Sequence, residues 1–589
     1  MRLFHQLTQL ARVSAVAAVV GFIGLTAGAS WAAAQAGNTN QIPSEVLAYA
    51  DTILTNGKIL TVDKDFSIRE AIAIRDGKVL ATGTTAAIQR YAGPKTQRID
   101  LAGKTVIPGL IDTHIHFQLR AIENHANEIS LIEPKYREYA DVIHLKGASV
   151  AELLENLKTA VASRKPGAWV HAEIDSPELA APFYNKVTRR DLDAIAPNNF
   201  VRVGDTVNTK VVDAVKAYYG YAPEEYELDD AGHVDATFQE SLIADLLFDH
   251  PMESLYPAFK AEMQKWAGYG VTTISGRLIG LWFQPVYRQM DFRKEMPIRL
   301  AYSGLGIQVF PLAFEFYRRL GNVTDMGTDM LWMPGAGVIN IDLSACSTVT
   351  PNGPPCQIGN TTDPKYKALF ELIKYGNRVV NTHVAGDKAA DQLLDLIETA
   401  SKAGGMTAEQ IQATGHTFDH CTLNPRPDQI ERGKRLGVIW ACAPGSLEGA
   451  AARAAEYGVE QVNKWSVPAA GIIKAGGRIV GHGEGVRGDS YFTNLEMLLT
   501  RKDSQGRVWG ADQAIDRRDM LRMYTIWAAD YVARRDRLGS LEPGKFADLA
   551  VLDKDYMTIP NDQFHTMHAA ITMVGGKVVY RQDAPSMQR

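Results

Sequence analysis

The chain has 589 residues, of which 46% are hydrophobic and 22% are charged, and its formal net charge is −5 at pH 7. A chain of this length can bury a large core, and the composition is ordinary for a globular protein. Because the sequence shows no basic face, it argues against nucleic-acid binding and favours a small-molecule substrate.

The first 34 residues have the pattern of a signal peptide. Two arginines lie in a basic start, residues 13–28 form an apolar run, and three alanines at 32–34 supply the small residues of a cleavage site. The run is too short and wrongly flanked for a membrane span, so we expect removal of residues 1–34 and a periplasmic or secreted protein. A retained N-terminal anchor is the alternative. We expect no stable membrane span after signal removal.

Short β-type runs broken by turns follow this leader. Asn56-Gly57 and Asp76-Gly77 each lie between alternating apolar positions, which is the pattern of a β-hairpin. The same texture returns near the C-terminus in GSLEPGKFADLAVLD and AAITMVGGKVVY. We therefore predict a small β-sandwich assembled from residues 35–107 and 539–589.

The segment VIPGLIDTHIH, which starts at Val106, ends in two histidines spaced i, i+2. Successive side chains alternate faces along a strand, so His114 and His116 point the same way and can hold one metal ion between them. For an isolated pair of this kind, two strand histidines with ordinary hydrogen bonds are an equally good interpretation.

Helical and strand-like patterns alternate from residue 108 to residue 538. The strand RVVNTHV, for example, precedes the helical pattern KAADQLLDLIETASKAG. This alternation predicts an α/β fold with a parallel sheet, and its length suits a closed (β/α)8 barrel. The stretch from about 120 to 259 is too long and irregular for plain barrel connections, and we assign it to an insertion that caps the site.

Two further histidines, His383 in VVNTHVAGD and His420 in GHTFDHC, stand at the ends of predicted strands. Chemistry gathers at the carboxyl ends of the strands in a (β/α)8 barrel, so these strand ends can present four imidazoles to one ion. A lone histidine is more often structural than a ligand. The combination and its order favour a metal site.

The chain has four cysteines. Cys346 and Cys356 bracket a turn-rich loop that could close a small disulfide in an oxidising compartment. Cys421 and Cys442 lie in apolar surroundings, and we interpret them as small buried hydrophobic side chains rather than ligands.

Together these motifs resemble the amidohydrolase superfamily, in the branch of N-substituted formamide deformylases and exoenzyme-regulator-type proteins (amidohydrolase family 3). VIPGLIDTHIHF is similar to that branch's HxH signature, HVAGDKAADQLLDLIE to its HAIGD segment, GHTFDHC to its IEHA segment, and LGSLEPGKFADLAVLD to its closing sandwich motif. The resemblance implies a metal-dependent hydrolase barrel with one divalent transition metal ion, zinc before iron, cobalt, nickel or copper. The implied metal ligands are His114, His116, His383 and His420.

One departure from the family pattern concerns the number of metal ions. Binuclear members bridge two ions with a carboxylated lysine in a segment that reads approximately GVKLFADGS, whereas the corresponding stretch here, GAGVINIDLSACS, has no lysine. We therefore expect a mononuclear site. If that strand is misaligned, Lys365 or Lys367 matters instead, although KYKALFELIKYG has the pattern of an amphipathic helix.

A second departure concerns the last strand, where the family usually carries GSD with an aspartate that binds metal and acts as general base. This chain has RIVGHGEGVRGD, with Gly483 near the aspartate position between His482 and Glu484. Either neighbour could take over the acid/base task or a coordination position. Asp489 is a weaker substitute in a polar loop, and a glycine-rich turn without catalytic role is the other interpretation.

Four further residues are candidates for contact with substrate or ligands. Asn208 lies in VRVGDTVNTKVVDA, where the family often has a histidine before an NS pair that borders the substrate. Phe117 and Trp282 could line an apolar pocket, and each is as well explained by core packing. Asp387 could orient His383 or touch substrate in catalysis, or serve as the acid of a helix N-terminus.

The leading hypothesis is an exported hydrolase of a small molecule, in which His482 or Glu484 moves the proton while the metal polarises a carbonyl. By resemblance the substrate class is an amide, formamide, cyclic imide or lactone. Loss of the lysine and the aspartate leaves two alternatives open: a lyase, hydratase, decarboxylase or isomerase on the same scaffold, or a degenerate site with a ligand-binding or regulatory role. The sequence is compatible with a homo-oligomer.

Overall fold

The computed structural model describes most of the chain after the predicted signal peptide, which lies outside the described residues. Among the helices of the described part, none combines the length and the apolar character that crossing a bilayer requires. The described residues are 49–220, 231–234, 243–278, 282–304, 319–337, 340–342, 344–350, 353–354, 356, 358, 361, 364–484 and 490–582.

Strands are numbered in chain order. The strands are β1 (Thr52–Thr55), β2 (Lys58–Leu60), β3 (Ile68–Arg69), β4 (Ala71–Arg75), β5 (Lys78–Gly83), β6 (Gln97–Asp100), β7 (Thr105–Pro108), β8 (Leu110–Asp112), β9 (Ile143–Leu145), β10 (Trp169–Ile174), β11 (Phe200–Val203), β12 (Thr206–Val207), β13 (Val271–Arg277), β14 (Arg299–Ser303), β15 (Met326–Gly327), β16 (Leu331–Met333), β17 (Ala336–Gly337), β18 (Val379–Val380), β19 (Thr382–Gly386), β20 (Thr417–Leu423), β21 (Ile439–Cys442), β22 (Arg478–Gly481), β23 (Leu549–Leu552), β24 (Ala569–Val574) and β25 (Lys577–Arg581).

Helices are identified by their residue ranges. The α-helices are Thr85–Gln89, Phe117–Asn124, Ala126–Ile132, Pro134–Ala140, Val150–Ala162, Pro177–Lys186, Arg189–Ile195, Thr209–Tyr219, Ala244–Leu247, Pro251–Gly268, Phe283–Phe292, Pro364–Lys374, Asp387–Ala403, Ala408–Thr414, Pro427–Leu436, Ala450–Tyr457, Val459–Trp465, Ala469–Lys474, Phe492–Thr500, Arg517–Met523 and Ile526–Tyr531. Short 3-10 helices are Pro444–Gly449, Ala511–Gln513 and Asn561–Thr566.

Two sheets contain the strands from the ends of the described chain, the first from the N-terminal end alone and the second from both ends. One has the strand order β5-β4-β1-β6, and the other has the order β25-β24-β23-β7-β2-β3. Apolar side chains from both ends form one cluster, in which Leu54 and Val106 join Leu549 and Met573. The expected sandwich remains an interpretation of these two sheets, but the joining of both chain ends is observed directly in the pairing of β7 with β2 and β23.

The middle of the chain forms parallel strands in chain order. β8, β13, β14 and β16 are consecutive neighbours, with the short antiparallel β15 at the edge, and β19, β20, β21 and β22 form a second run. β17 pairs with β18 and lies between the two runs in the chain. Strands such as β13 and β14 are buried along their whole length, as expected for parallel strands covered on both faces.

These sheets confirm the α/β fold with parallel strands, whereas the closed (β/α)8 barrel remains a prediction. Within the described residues no ladder joins β22 to β8. The two strand ends are nevertheless in contact, because Thr113 Oγ1 donates a hydrogen bond of 3.1 Å to the carbonyl oxygen of Gly481. This contact brings the first and the last strand of the series to one place.

A separate sheet lies within the stretch predicted as the cap. Its strand order is β12-β11-β10-β9, and it has its own apolar cluster, which includes residues of the helix Val150–Ala162. By contrast, Phe259 and Met263 of the helix Pro251–Gly268 pack in the main core. The structure therefore places an independent core inside the predicted insertion, while the predicted domain limits themselves remain a prediction.

A buried ion pair joins the central strands to the C-terminal sheet. Arg299 of β14 donates from Nε and Nη2 to the carboxylate of Asp548 at 2.7 and 2.9 Å. Only 2% and 5% of these side chains are exposed. Asp548 also accepts a hydrogen bond from the backbone N–H of Gly575. This bidentate ion pair holds the terminal sheet in a fixed position against β14.

Asp548→Ala should lower the free energy of unfolding by about 3–5 kcal/mol, because the Arg299 guanidinium would stay buried without its counter-charge. Urea unfolding followed by circular dichroism measures the change. The half-exposed pair between Lys58 and Asp555 provides the control, and Asp555→Ala should cost less than about 1 kcal/mol. Equal effects of the two substitutions would contradict the anchoring role of the buried pair.

Candidate metal centre

Five histidines from the parallel strands and from the segments that follow them come together. His114 follows β8, His482 follows β22, and His116 is the residue before the helix Phe117–Asn124. His383 and His420 lie on the paired strands β19 and β20. The chain order of the strands thus gathers residues that are up to several hundred positions apart in sequence.

Ring distances show that the histidines form one cluster. The His114 ring centroid lies 5.4 Å from that of His116, 4.9 Å from that of His420 and 5.2 Å from that of His482. The His420 ring lies 4.2 Å from the ring of His383 and 5.3 Å from that of His482. All four predicted ligands therefore lie in the cluster, together with the predicted acid/base residue His482.

His383 and His420 lie inside their strands and not at the strand ends, which corrects the sequence-based expectation. The pairing of β19 with β20 shifts register between Val384 and Gly386. His420 and Cys421 have φ values of 99° and 52°. Such positive φ angles are costly for residues with a Cβ and persist only where the surroundings impose them. The irregular backbone changes the direction of side chains in the middle of these strands, so His383 and His420 can point toward the cluster.

Asp419 orients the ring of His114. Its Oδ2 lies 2.7 Å from His114 Nδ1, and both residues are fully buried. The Tyr531 hydroxyl donates to the same carboxylate at 2.9 and 3.0 Å and accepts from Asn381 Nδ2 at 2.9 Å. With its proton on Nδ1, His114 presents the lone pair of Nε2 to the cluster, which is the arrangement of a metal-binding histidine.

Asp112 ties the two ends of the site together. Its carboxylate accepts hydrogen bonds from the backbone N–H of His114 at 3.1 Å and of Gly483 at 2.9 Å, and from the Tyr491 hydroxyl at 2.7 Å. Burial raises the pKa of Asp112 to about 7. The segment after β8 and the segment after β22 therefore hold each other in place.

Several imidazole nitrogens of the cluster are buried without a hydrogen-bond partner among the described residues. They are Nε2 of His114, Nδ1 of His383, Nε2 of His420 and both ring nitrogens of His482. Burial lowers the pKa of His114 well below its ordinary value and lowers the pKa values of His420 and His482 to about 4. Neutral imidazoles with unshared lone pairs are good ligands for a divalent transition metal, so the residues present fit such an ion.

Glu484 adds a carboxylate to this group. Its Oε1 lies 3.0 Å from His420 Nδ1 and 4.0 Å from His114 Nε2, and the ligand atoms of these three residues all lie within 4.8 Å of one another. Burial alone would raise the pKa of Glu484, but electrostatic attraction to the neighbouring histidines, His420 first, and the hydrogen bond from His420 hold that pKa below the ordinary value. Glu484 is therefore ionised at neutral pH.

Asp387 does not contact the histidine cluster, which corrects its assignment as an orienting or catalytic residue. Its buried carboxylate accepts hydrogen bonds from Ser347 Oγ at 2.6 Å and from Arg426 Nη1 at 2.6 Å. It is the first residue of the helix Asp387–Ala403, which confirms the alternative that it is the acid of a helix N-terminus. The carboxylate beside His383 is that of Asp342, whose Oδ1 lies 3.6 Å from His383 Nδ1.

Asn208 is not available to a substrate. It is buried as the N-cap of the helix Thr209–Tyr219, where its Oδ1 accepts the backbone N–H groups of Val201 and Val211. Its Nδ2 donates to backbone oxygens, including that of Asn199 at 2.8 Å. We therefore correct its assignment to substrate binding, because every polar atom of its side chain is used within the cap.

The two aromatic candidates belong to the core. Phe117 is 1% exposed and packs against Trp266 and Tyr287, with ring centroids 6.1 and 6.4 Å away. Trp282 is half-buried against the main core and donates from Nε1 to the carbonyl oxygen of Asp245. Neither residue lines the cavity at the histidine cluster, so we correct both substrate-contact assignments.

The stretch aligned with the lysine-bearing segment contributes neutral and acidic side chains. Asn340 Oδ1 accepts a hydrogen bond of 3.0 Å from Arg277 Nη1, and Asp342 accepts the backbone N–H groups of Ala385 and Gly386. The helix predicted for KYKALFELIKYG is observed as Pro364–Lys374. Asp489, the weaker candidate after β22, lies outside the described residues.

Both cysteine pairs form disulfides, Cys346 with Cys356 and Cys421 with Cys442. The second bond corrects the interpretation of Cys421 and Cys442 as small hydrophobic side chains. They lie on the neighbouring strands β20 and β21 with Cα atoms 4.8 Å apart, although 21 positions separate them in sequence. Only the fold brings them together, so their spacing carried no local signal.

A cavity of about 320 Å³ opens at the cluster. The residues that line it include His383, His420, Glu484, Arg453 and Tyr457. A larger cavity of about 1230 Å³ lies beside β14 and the terminal sheets and contains none of the site histidines. We place the chemistry in the smaller cavity, because His383 and His420, two histidines with unpartnered ring nitrogens, line it.

Comparisons with known proteins agree with these observations. A sequence profile described as an amidohydrolase family matches residues 97–580. The chain is 24% identical to N-substituted formamide deformylase of Arthrobacter pascens, over 90% of this chain and 98% of that protein. It is also 24% identical to Protein LONG AFTER FAR-RED 3 of Arabidopsis thaliana, over 90% and 92% of the two chains.

A solved structure shares the fold. The crystal structure of an uncharacterized metal-dependent hydrolase from Pyrococcus horikoshii OT3 aligns with a TM-score of 0.60 and 20% sequence identity, covering 87% of this chain and 99% of that one. At this identity the similarity shows a common fold.

Asp419→Asn should weaken the binding of a divalent metal ion about 10- to 100-fold, because a neutral amide oxygen holds the proton on His114 Nδ1 less strongly than a carboxylate does. Competition with a chromophoric chelator measures the affinity. Asp428→Asn removes an acid on a remote helix and should leave the affinity unchanged. If the metal affinity of Asp419→Asn is unchanged, the contact between Asp419 and His114 does not orient His114 for metal binding.

Proposed function

Because this chain belongs to the amidohydrolase family and is a metal-dependent hydrolase, we propose that it cleaves a C–N or ester-type bond of a small molecule at a mononuclear, histidine-rich centre. One observation carries this proposal. Buried, neutral imidazole nitrogens without partners converge beside the ionised carboxylate of Glu484. An uncompensated cluster of this kind is costly unless a ligand satisfies it.

The residues proposed to hold the ion are His114, His116, His383 and His420. We propose zinc as the ion on the basis of the family resemblance, although imidazole ligands do not distinguish it from other divalent transition metals. When bound, the ion supplies Lewis acidity that polarises a substrate carbonyl and makes water more acidic.

Glu484 is the proposed acid/base residue. As an ionised carboxylate it can accept a proton from the attacking water while the bond between water oxygen and carbonyl carbon forms. It then returns that proton to the leaving nitrogen as the C–N bond breaks. The hydrogen bond to His420 holds the carboxylate in position. His482, which is buried beside both His114 and His420, is the second residue able to move this proton.

Arg277 supports a single ion rather than two. Its guanidinium is buried at the end of β13 and is bonded to Asn340, in the segment that has no lysine. Its positive charge contributes to the lowered pKa of His114 and opposes the rise in the pKa of Asp419 that burial causes. A fixed positive charge that acts on both His114 and Asp419 disfavours a second cation beside the first.

The proposed substrate class is an amide, formamide, cyclic imide or lactone. The similarity to a protein named N-substituted formamide deformylase supports the inclusion of N-formyl compounds, since it extends over nearly the full length of both chains.

Glu484→Gln should retain about one metal ion per chain and lower kcat roughly 10²- to 10⁴-fold, because the amide cannot accept the proton of water. Elemental analysis and initial rates on a panel of N-formyl and cyclic imide substrates provide the two readouts. Glu398→Gln, on a remote helix, serves as the matched control. Full activity of Glu484→Gln would reject the acid/base role, and joint loss of metal and activity would make Glu484 a ligand instead.

We also propose export to the periplasm or beyond. The basic, apolar and small-residue pattern of residues 1–34 supports it, and disulfides are typical of oxidising compartments. In a Gram-negative host the protein should therefore be found in the periplasmic fraction with a new N-terminus near residue 35, and mass mapping of the unreduced protein should find both linked peptides.

Val19→Arg interrupts the apolar run of the leader and should retain the full-length chain inside the cell. An uncleaved wild-type chain in the cytosolic fraction would contradict export.

A further inference from the structure

Arg453 lies on the wall of the cavity at the histidine cluster. It belongs to the helix Ala450–Tyr457, which follows the 3-10 helix Pro444–Gly449. Its Nη2 donates a hydrogen bond to the backbone oxygen of Ser446. The guanidinium also rests on Gly449, since a Cβ at that position would lie 2.7 Å from Arg453 Nη1. The turn thus holds the guanidinium in one place.

The charge of Arg453 has no acidic partner. Among the described residues no carboxylate oxygen lies within 4 Å of it, and its Nε is buried without an acceptor. By contrast, Arg426 pairs with the three carboxylates of Asp387, Asp391 and Asp428. Burial lowers the pKa of Arg453. A guanidinium left in this state is destabilising until an anion reaches it.

The other ionisable groups on the cavity wall do not form an ion pair with Arg453. Glu484 is hydrogen-bonded to His420, and the Tyr457 hydroxyl donates to the backbone oxygen of Ala345. Burial, with the nearby charge of Glu456, raises the pKa of Tyr457 to about 12, so this hydroxyl is neutral. Glu456 is itself exposed. Among the described residues that line the cavity, Arg453 is the single lysine or arginine.

We propose that Arg453 binds a carboxylate carried by the substrate, so that the preferred substrates are acidic amides such as N-formyl or N-acyl amino acids. The inference rests on the proposed hydrolysis. A guanidinium recognises a carboxylate through paired N–H donors. His383, His420 and Glu484 line the same cavity, so the amide of a substrate held by Arg453 can reach them. Neutral amides of the same size lack the group that Arg453 would satisfy.

Kinetics of the metal-loaded enzyme on a matched pair test this role, with N-formyl-phenylalanine as the acid and N-formyl-phenylalanine amide as its neutral counterpart. Wild type should prefer the acid. Arg453→Gln should raise KM for the acid about 10- to 100-fold, the range of a charged hydrogen-bonded contact, and change the neutral amide by less than about twofold. Arg453→Lys should recover part of the loss, because it keeps the charge but not the planar fork.

Two further variants separate position from charge. Gly449→Ala keeps the charge but pushes the guanidinium off the turn, so it should raise KM for the acid in the same direction as Arg453→Gln. Arg435→Gln removes an exposed arginine from the neighbouring helix Pro427–Leu436 and should leave both substrates unaffected. Equal use of both substrates by wild type, or equal effects of Arg453→Gln on both, overturns the inference and leaves the proposed hydrolysis standing.

Calorimetry covers the opposite case, in which neither compound is hydrolysed. Binding of N-formyl-phenylalanine to the metal-loaded protein, absent for the neutral amide and lost in Arg453→Gln, would support carboxylate recognition while counting against the proposed deformylation. Absence of both hydrolysis and carboxylate binding overturns the inference as well.

Discussion

The buried hydrogen bond between Asp419 and His114 is the contact on which the organisation of the site depends. It places an acceptor at Nδ1 and leaves Nε2 facing the other imidazoles. The bond joins residues 305 positions apart, so it forms only when β8 and β20 have reached their places. Tyr531, from the helix Ile526–Tyr531 that packs against β22 and β8, donates to the same carboxylate and connects a third part of the chain to it.

The environment of this contact favours neutral imidazole ligands and one ionised carboxylate, that of Glu484. Burial disfavours the protonated form of His114, His420 and His482, since removing an imidazolium from water is costly. The same burial would keep Glu484 protonated were it not beside these rings. The imidazoles of the cluster are therefore neutral at neutral pH, and Glu484 is the ionised carboxylate beside them.

Much of the site could be predicted from the sequence, because the histidines lie in short motifs whose positions in the strand series determine where they meet. Asp112 and Asp419 were missed although both lie within these motifs, next to or near a histidine. Tyr531 and Arg277 had no such signal, since nothing in their own segments distinguishes them from core residues. Asn208, Phe117 and Trp282 were misassigned because capping and packing use the same residue types as substrate contacts.

The contacts of the residues on either side of His420 explain why it can adopt an unusual backbone conformation. A residue with φ of 99° is stable only where its neighbours leave it no alternative. Cys421, the next residue, is bonded to Cys442 on the adjacent strand, so the chain cannot relax there without moving β21. The other side of His420 is Asp419, held by His114 and Tyr531. A covalent bond on one side and a buried hydrogen-bond network on the other thus impose the backbone that points this imidazole at the centre. The disulfide between Cys421 and Cys442, which the sequence did not predict, therefore helps to fix the geometry of the site.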